Sequence, residues 1–237
     1  MSLKRLDWIL SHRGLGTRRD VQKMIRNGLV SVSGQTLTDP KRRIAISSHI
    51  TVDSIEVAPL PLLFVWHKPL NVVSTMRDPY GRADLSGVMP DNIRSEYHPV
   101  GRLDRDTSGL LLFSRCGVLT QYFLHPKNEV ERRYIATVEG EPDDSLRSRL
   151  RDGIETTLGT FPAQIEKTNG SDITLTVNEG KHRMVRRILA NAGYPVRALH
   201  RTQYGPLKLL DLPLDQIRPA TSAEMDTLNS MGAPISV

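Results

Sequence analysis

Two prolines in Ala58-Pro59-Leu60-Pro61 interrupt a chain otherwise rich in helical and alternating patterns. Each proline removes a backbone donor and stiffens the chain, so no regular element runs through this segment. A chain broken there folds in two unequal parts, residues 1–58 and 59–237. The length of 237 residues suits that division, since one domain usually takes ~150.

Charge separates the two parts further. Residues 1–48 hold ten Lys and Arg against three Asp, a net +7, whereas the whole chain carries +6, so the remaining 189 residues sum to −1. A small nucleic-acid-binding module attached to a near-neutral domain has this asymmetry. Hydrophobic residues at 38% and charged ones at 24% fit a soluble globular protein and exclude collagen, a coiled coil or a mainly disordered chain. The longest apolar run, Pro59 to Trp66, falls far short of the ~20 residues that span a bilayer, so no membrane association is expected. The chain opens on charge, without the apolar stretch of a secretory signal. Cys116 is the only cysteine, which forbids an internal disulfide and a Cys-rich metal site; the expected setting is the cytoplasm.

In the basic segment Leu6, Ile9 and Leu10 recur with the period of a helical face, and Gly14 and Gly16 end that helix. Thr17 with Asp20 reads as a capping box opening a second helix, closed by Gly28. Val21, Met24 and Ile25 make its apolar face, with Arg19, Lys23 and Arg26 nearly opposite. Alternation over 29–32, a Ser33-Gly34 turn and residues 35–38 then read as a hairpin. A cationic helix face is often merely solvated. Here Arg13, Arg18 and Lys41-Arg42-Arg43 add to it, which favours phosphate contact with little sequence choice.

This order of helix, Gly-rich turn, basic helix and hairpin resembles the "S-four" RNA-binding domain. The likeness rests on Arg5-Leu6-Asp7, Gly14-Leu15-Gly16-Thr17-Arg18-Arg19, Ile25-Arg26-Asn27-Gly28-Leu29-Val30 and Val32-Ser33-Gly34, and covers about residues 3–50. It implies binding to structured RNA, with Arg19, Lys23 and Arg26 on the substrate side.

Beyond the prolines, strand-like stretches fall at 62–66, 71–74, 110–113, 134–138 and 173–177, and helical ones at 117–124, 143–152 and 181–192. Irregular mixing without βαβ alternation predicts an α+β fold: a small helical and hairpin domain, then a larger domain with a mainly antiparallel mixed sheet. Phosphate-loop, dinucleotide, HExxH and GxSxG signatures are absent, and the seven histidines are scattered, so neither cofactor nor metal is expected. What remains is Gly101-Arg102-Leu103-Asp104-Arg105-Asp106-Thr107-Ser108-Gly109, feeding the apolar run Leu110-Leu111-Leu112-Phe113. By composition this is a turn. Yet Asp104 and Asp106 lie among arginines, which favour the charged form, and a carboxylate at the lip of a strand is a competent nucleophile.

That segment resembles the defining motif of pseudouridine synthases, and the chain as a whole resembles the RsuA family, which modifies ribosomal RNA. His67-Lys68-Pro69-Leu70-Asn71-Val72-Val73-Ser74-Thr75 with Asp78-Pro79-Tyr80-Gly81-Arg82 is similar to the family's first block. Leu124-His125-Pro126 and Glu129 to Tyr134 are similar to its tyrosine block. Glu179 to Arg187, then Leu199-His200-Arg201 through Gly205-Pro206-Leu207, are similar to the last. The likeness spans about residues 3–210. It implies a cofactor-free isomerisation that breaks the bond between uracil nitrogen and ribose, turns the base, and rejoins it through a ring carbon. It further implies that Asp104 attacks or deprotonates the nucleoside, and that Tyr134 stacks on the base. Arg186 would pair with the aspartate, Arg102 would fill the gap left by the flipped uridine, and Leu199 would pack beneath the ring.

On residue type alone, Tyr134 and Leu199 are equally core residues, and Arg186 equally a phosphate contact. Two departures from the family pattern stand out: Arg132 where Lys is frequent, which keeps the charge, and Arg183-Met184 where His-Gln is frequent, which bears on target choice. The expected partner is ribosomal RNA, free or in immature particles, bound by a monomer. The competing readings are a synthase acting on transfer RNA and a non-catalytic RNA-binding ribosome-assembly protein.

Overall fold

A computed structural model describes residues 3–46, 48–91 and 93–235. The chain divides into two compact units, Met1–Pro61 with Met89–Tyr97, and Leu62–Val88 with His98–Val237.

In the first unit, β1 (Leu3–Arg5) leads into α1 (Leu6–His12) and α2 (Arg18–Arg26). There follow β2 (Val30–Val32), β3 (Gln35–Thr36), β4 (Arg43–Ala45), β5 (Ile50–Val52) and β6 (Ile55–Glu56). β1 pairs with β4, and a four-stranded antiparallel sheet runs β3-β2-β5-β6. Thr17 and Asp20 cap α2 reciprocally, satisfying donors that the first turn leaves free. Ser33 and Gly34, both at positive φ, make the tight turn between β2 and β3. Leu6, Ile9, Leu10, Val21, Ile25, Val30 and Ile50 close the core, leaving Arg19, Lys23 and Arg26 exposed. Arg13 corrects the sequence reading. It is buried, and its guanidinium donates to Val57 O (2.6 Å), Ile46 O (2.7 Å) and Ser48 O (3.1 Å), so it ties loops together and does not join the basic face.

The second unit contains β7 (Leu63–Lys68), β8 (His98–Pro99), β9 (Thr107–Ser114), α3 (Gly117–Leu124), β10 (Arg132–Val138) and α4 (Leu146–Asp152). It continues with β11 (Ile154–Thr156), β12 (Gly159–Phe161), β13 (Gln164–Asn169), β14 (Asp172–Val177) and α5 (Met184–Asn191). It closes with β15 (Val196–Tyr204), β16 (Leu207–Lys208), β17 (Ile217–Pro219) and α6 (Ser222–Ser230). The main sheet runs β13-β14-β10-β15-β9-β7-β17, with β16 on β15 and β8 on β9; every pairing is antiparallel except β15 with β9. This is the expected α+β class. Leu119 and Phe123 of α3 and Leu228 of α6 pack with Leu63, Val65, Leu110 and Leu112 of the sheet.

Residues 71–74 are not a strand. Asn71 takes a left-handed φ of 66° and Ser74 bonds to the Asp104 loop, so tertiary contacts override the apolar pattern. α4 starts at Leu146, because the Asp143 carboxylate accepts from the amides of Ser145 and Leu146 ahead of it. α5 starts at Met184, because Arg183 is left-handed. Among the described residues, no helix is long and apolar enough to cross a membrane.

Candidate active site

The parallel contact between β9 and β15 sets the position of everything at the site. Thr107 lies opposite Leu199 and Gly109 opposite Arg201. A Cβ on Gly109, whose φ is 108°, would lie 2.2 Å from the Arg201 carbonyl oxygen, so only glycine lets the strands meet. Tyr134 is the cross-strand partner of Arg201, and Ala136 of Leu199. Opposed residues share a face, so Thr107, Leu199, Arg201 and Tyr134 look out from one side of the sheet. A register shift between Arg133 and Tyr134 re-aims the tyrosine.

These side chains floor an open cleft of about 740 Å³, whose rim includes Arg102, Asp104, Arg82, Lys181 and Arg183. Tyr134 and Leu199 are buried, Asp104 is partly exposed, and Arg102 is exposed at the edge.

The loop carrying Asp104 joins β8 to β9, and its backbone is held carbonyl by carbonyl. Leu103 O accepts from Ser74 Oγ at 2.7 Å, and the same oxygen of Ser74 accepts from Leu103 N. Asp104 O accepts from Lys68 Nζ (3.2 Å) and Thr107 N (3.1 Å). Arg105 O accepts from Asn71 N, Asp106 O from Arg186 Nη2, and Thr107 O from Lys68 Nζ. Five successive carbonyls are thereby fixed, which presents the Asp104 side chain on a backbone that need not reorganise.

Lys68 is fully buried and also donates to Pro69 O, so all three of its protons go to carbonyls. Burial pulls its pKa down to about 8 against the opposing pull of Asp104 and Asp106. Lys68, Asn71 and Ser74 belong to the first motif block, but nothing in their spacing marks them as supports of a loop thirty residues on.

The arginines differ from expectation. Arg186, expected to pair with Asp104, instead donates to Asp106 O and Val196 O and pairs with the Asp106 carboxylate at 3.4 Å. Arg183 binds Asp106 through two hydrogen bonds and lies 4.0 Å from Asp104. These cations hold the Asp106 carboxyl below its usual range, Arg183 most strongly. Arg132 is buried and donates to Val130 O, Asn178 O, Phe123 O and the Tyr204 hydroxyl. A lysine has three donors and would leave at least one of these four acceptors without its bond. Arg19, Lys23 and Arg26 belong to the other unit. Among the described residues, no group of three His, Cys, Asp or Glu side chains could hold a metal ion.

The model of the RNA pseudouridylate synthase family matches residues 62–191, over half the chain, and takes in Asp104, Tyr134 and Arg186. The chain belongs to that family. Residues 4–50 match the S4 domain, so the first unit carries the S-four module and RNA is a partner. The "Ribosomal large subunit pseudouridine synthase B" of Bacillus subtilis is 34% identical, with 97% of each chain covered. The protein of the same name from Haemophilus influenzae is 36% identical over 87% of this chain and 61% of its own length. A solved structure described as a pseudouridylate synthase superposes with a TM-score of 0.66 at 25% identity, covering 95% of this chain and 99% of that one. The synthase is thus of the RsuA type, an isomerase.

Proposed function

We propose that this synthase isomerises one uridine of large-subunit ribosomal RNA, with the base flipped into the cleft beneath Arg102. The observation that carries the reading is a carboxylate, Asp104, on a fully pinned loop at the mouth of a cleft floored by Tyr134 and Leu199. An extracted uracil is uncharged and planar, so an aromatic face and an aliphatic floor suit it, while the cationic rim suits the flanking phosphates. In the reaction the nitrogen–ribose bond breaks, the base turns, a ring carbon takes the ribose, the hydrogen on that carbon leaves to solvent as a proton, and the freed nitrogen takes up a proton in its place. Asp104 attacks or deprotonates the nucleoside. Arg183 and Arg186 meet the charge that develops beside it, and Tyr134 keeps the freed base in place. The choice of ribosomal RNA leans on the names of the Bacillus and Haemophilus relatives.

The test is release of tritium from uracil-labelled transcripts of the two ribosomal RNAs, assayed separately and within immature particles. Stoichiometric release from the large-subunit RNA, absent with Asp104→Asn, is the expected result. Silence on every substrate would remove the enzymatic reading.

A further inference from the structure

Tyr80 is 80% exposed, more than any other large hydrophobic side chain described. A lone exposed aromatic needs no explanation. This one sits on a loop built to hold it still. The Asp78 carboxylate accepts from Tyr80 N (3.0 Å), Arg82 N (2.9 Å), Arg82 Nε (3.2 Å) and Arg82 Nη2 (2.7 Å), which brings its pKa to about 2. Asp84 accepts from Asp78 N and Ser86 N, both at 2.9 Å. Val73 N to Ala83 O and Leu85 N to Thr75 O fasten the two ends. Clamped in this way, the Arg82 guanidinium lies 5.1 Å from the centre of the Tyr80 ring. Arg82 and Thr75 also line the cleft that contains Asp104.

We propose that Tyr80 and Arg82 form a stacking platform for an unpaired nucleobase of the substrate RNA beside the flipped uridine. The proposal rests on the reading of the cleft as an RNA-modifying site. A base has a π-face whatever its identity, so an aromatic ring backed by a cation binds it with little sequence choice. Because the loop is already fixed, stacking costs little ordering of the protein. Extraction of the uridine leaves its neighbours unstacked, and a platform at the rim gives one of them a new partner. The platform therefore serves the affinity of the flipped state and not the chemical step.

The experiment compares wild type with Tyr80→Ala and Tyr80→Phe on the large-subunit transcript, measuring equilibrium binding and tritium release. Tyr80→Ala should weaken binding about 5- to 100-fold and raise KM with kcat retained, whereas Tyr80→Phe should stay within about twofold. Photocrosslinking of 4-thiouridine-substituted transcript should attach a nucleotide to the peptide containing Tyr80. Making that nucleotide abasic should weaken wild type as much as Tyr80→Ala does and add nothing to the variant. Wild-type binding by Tyr80→Ala overturns the platform, whatever the turnover. Weakened binding by that variant with no release from wild type keeps the platform and removes the isomerase reading.

Discussion

The two units use the same side chains in opposite ways. In the first, Arg19, Lys23, Arg26, Lys41, Arg42 and Arg43 are exposed and make up six of the ten cations behind the +7 charge of residues 1–48. In the second, Lys68, Arg132, Arg186 and Arg201 are all buried, and each donates to at least one backbone carbonyl. Exposed cations act at a distance, attract polyanions and are screened by salt. Buried ones act through direction: each N–H that is paired fixes an oxygen, and desolvation makes a lost bond expensive. Net charge therefore reports binding in one unit and says nothing of architecture in the other. Arg13 crosses the divide, a structural cation within the basic unit.

The largest expected effect separates chemistry from scaffold. Asp104→Asn should lower turnover by about a thousandfold or more while RNA affinity stays within about twofold. Retained turnover in a single-turnover assay would take the reaction away from this residue. Gly109→Ala comes next. With the new methyl 2.2 Å from Arg201 O and φ at 108°, stability should drop by at least about 3 kcal/mol, read as a lower denaturation midpoint with activity lost. A midpoint near wild type would mean that β9 and β15 can part without harm.

Lys68→Met sharpens the contrast between the two kinds of cation. It strips the donor from Pro69 O, Asp104 O and Thr107 O but also relieves a buried charge, so a net loss of about 2–4 kcal/mol is expected. The pH dependence has a definite sign. Burial lowers the folded-state pKa to about 8, so between there and 10.5 the unfolded chain holds more protons and stability rises with pH. Denaturation of both proteins across that window should show the rise in wild type and its absence in the variant. Parallel curves would place the titration elsewhere.

The legible parts of the molecule were those governed by local rules. The Thr17–Asp20 cap, the Ser33-Gly34 turn and the amphipathic α2 depend on neighbours a few residues apart, and the structure has each. Asp104, Tyr134 and Leu199 reach one cleft because a family motif stores their meeting, which periodicity alone does not reveal. The strand expected at 71–74 failed because Ser74 serves a loop 29 residues away. Lys68 and Arg13 stayed hidden for a similar reason: a cation bonded to distant carbonyls has the same local sequence as a solvated one. The pairing of Arg183 and Arg186 with Asp106 depends on how α5 docks, and no spacing rule encodes that.

The smallest expected effect tests the comparison where it is most exposed to failure, within the first unit. Replacing Arg19, Lys23 and Arg26 together with Gln should leave the fold intact, since all three side chains are exposed. The slope of log affinity against log salt for RNA should then flatten by about 2, at roughly 0.7 for each single-strand phosphate left without its cation. Arg13→Met should do the reverse. Removing the donors to Val57 O, Ile46 O and Ser48 O should cost about 1–3 kcal/mol and leave the salt slope unchanged. Salt titrations of the two variants, each checked by thermal denaturation, read both quantities on the same samples. Were Arg13→Met to flatten the slope as the triple variant does, its guanidinium would be reaching phosphate, and burial would no longer separate binding cations from building ones.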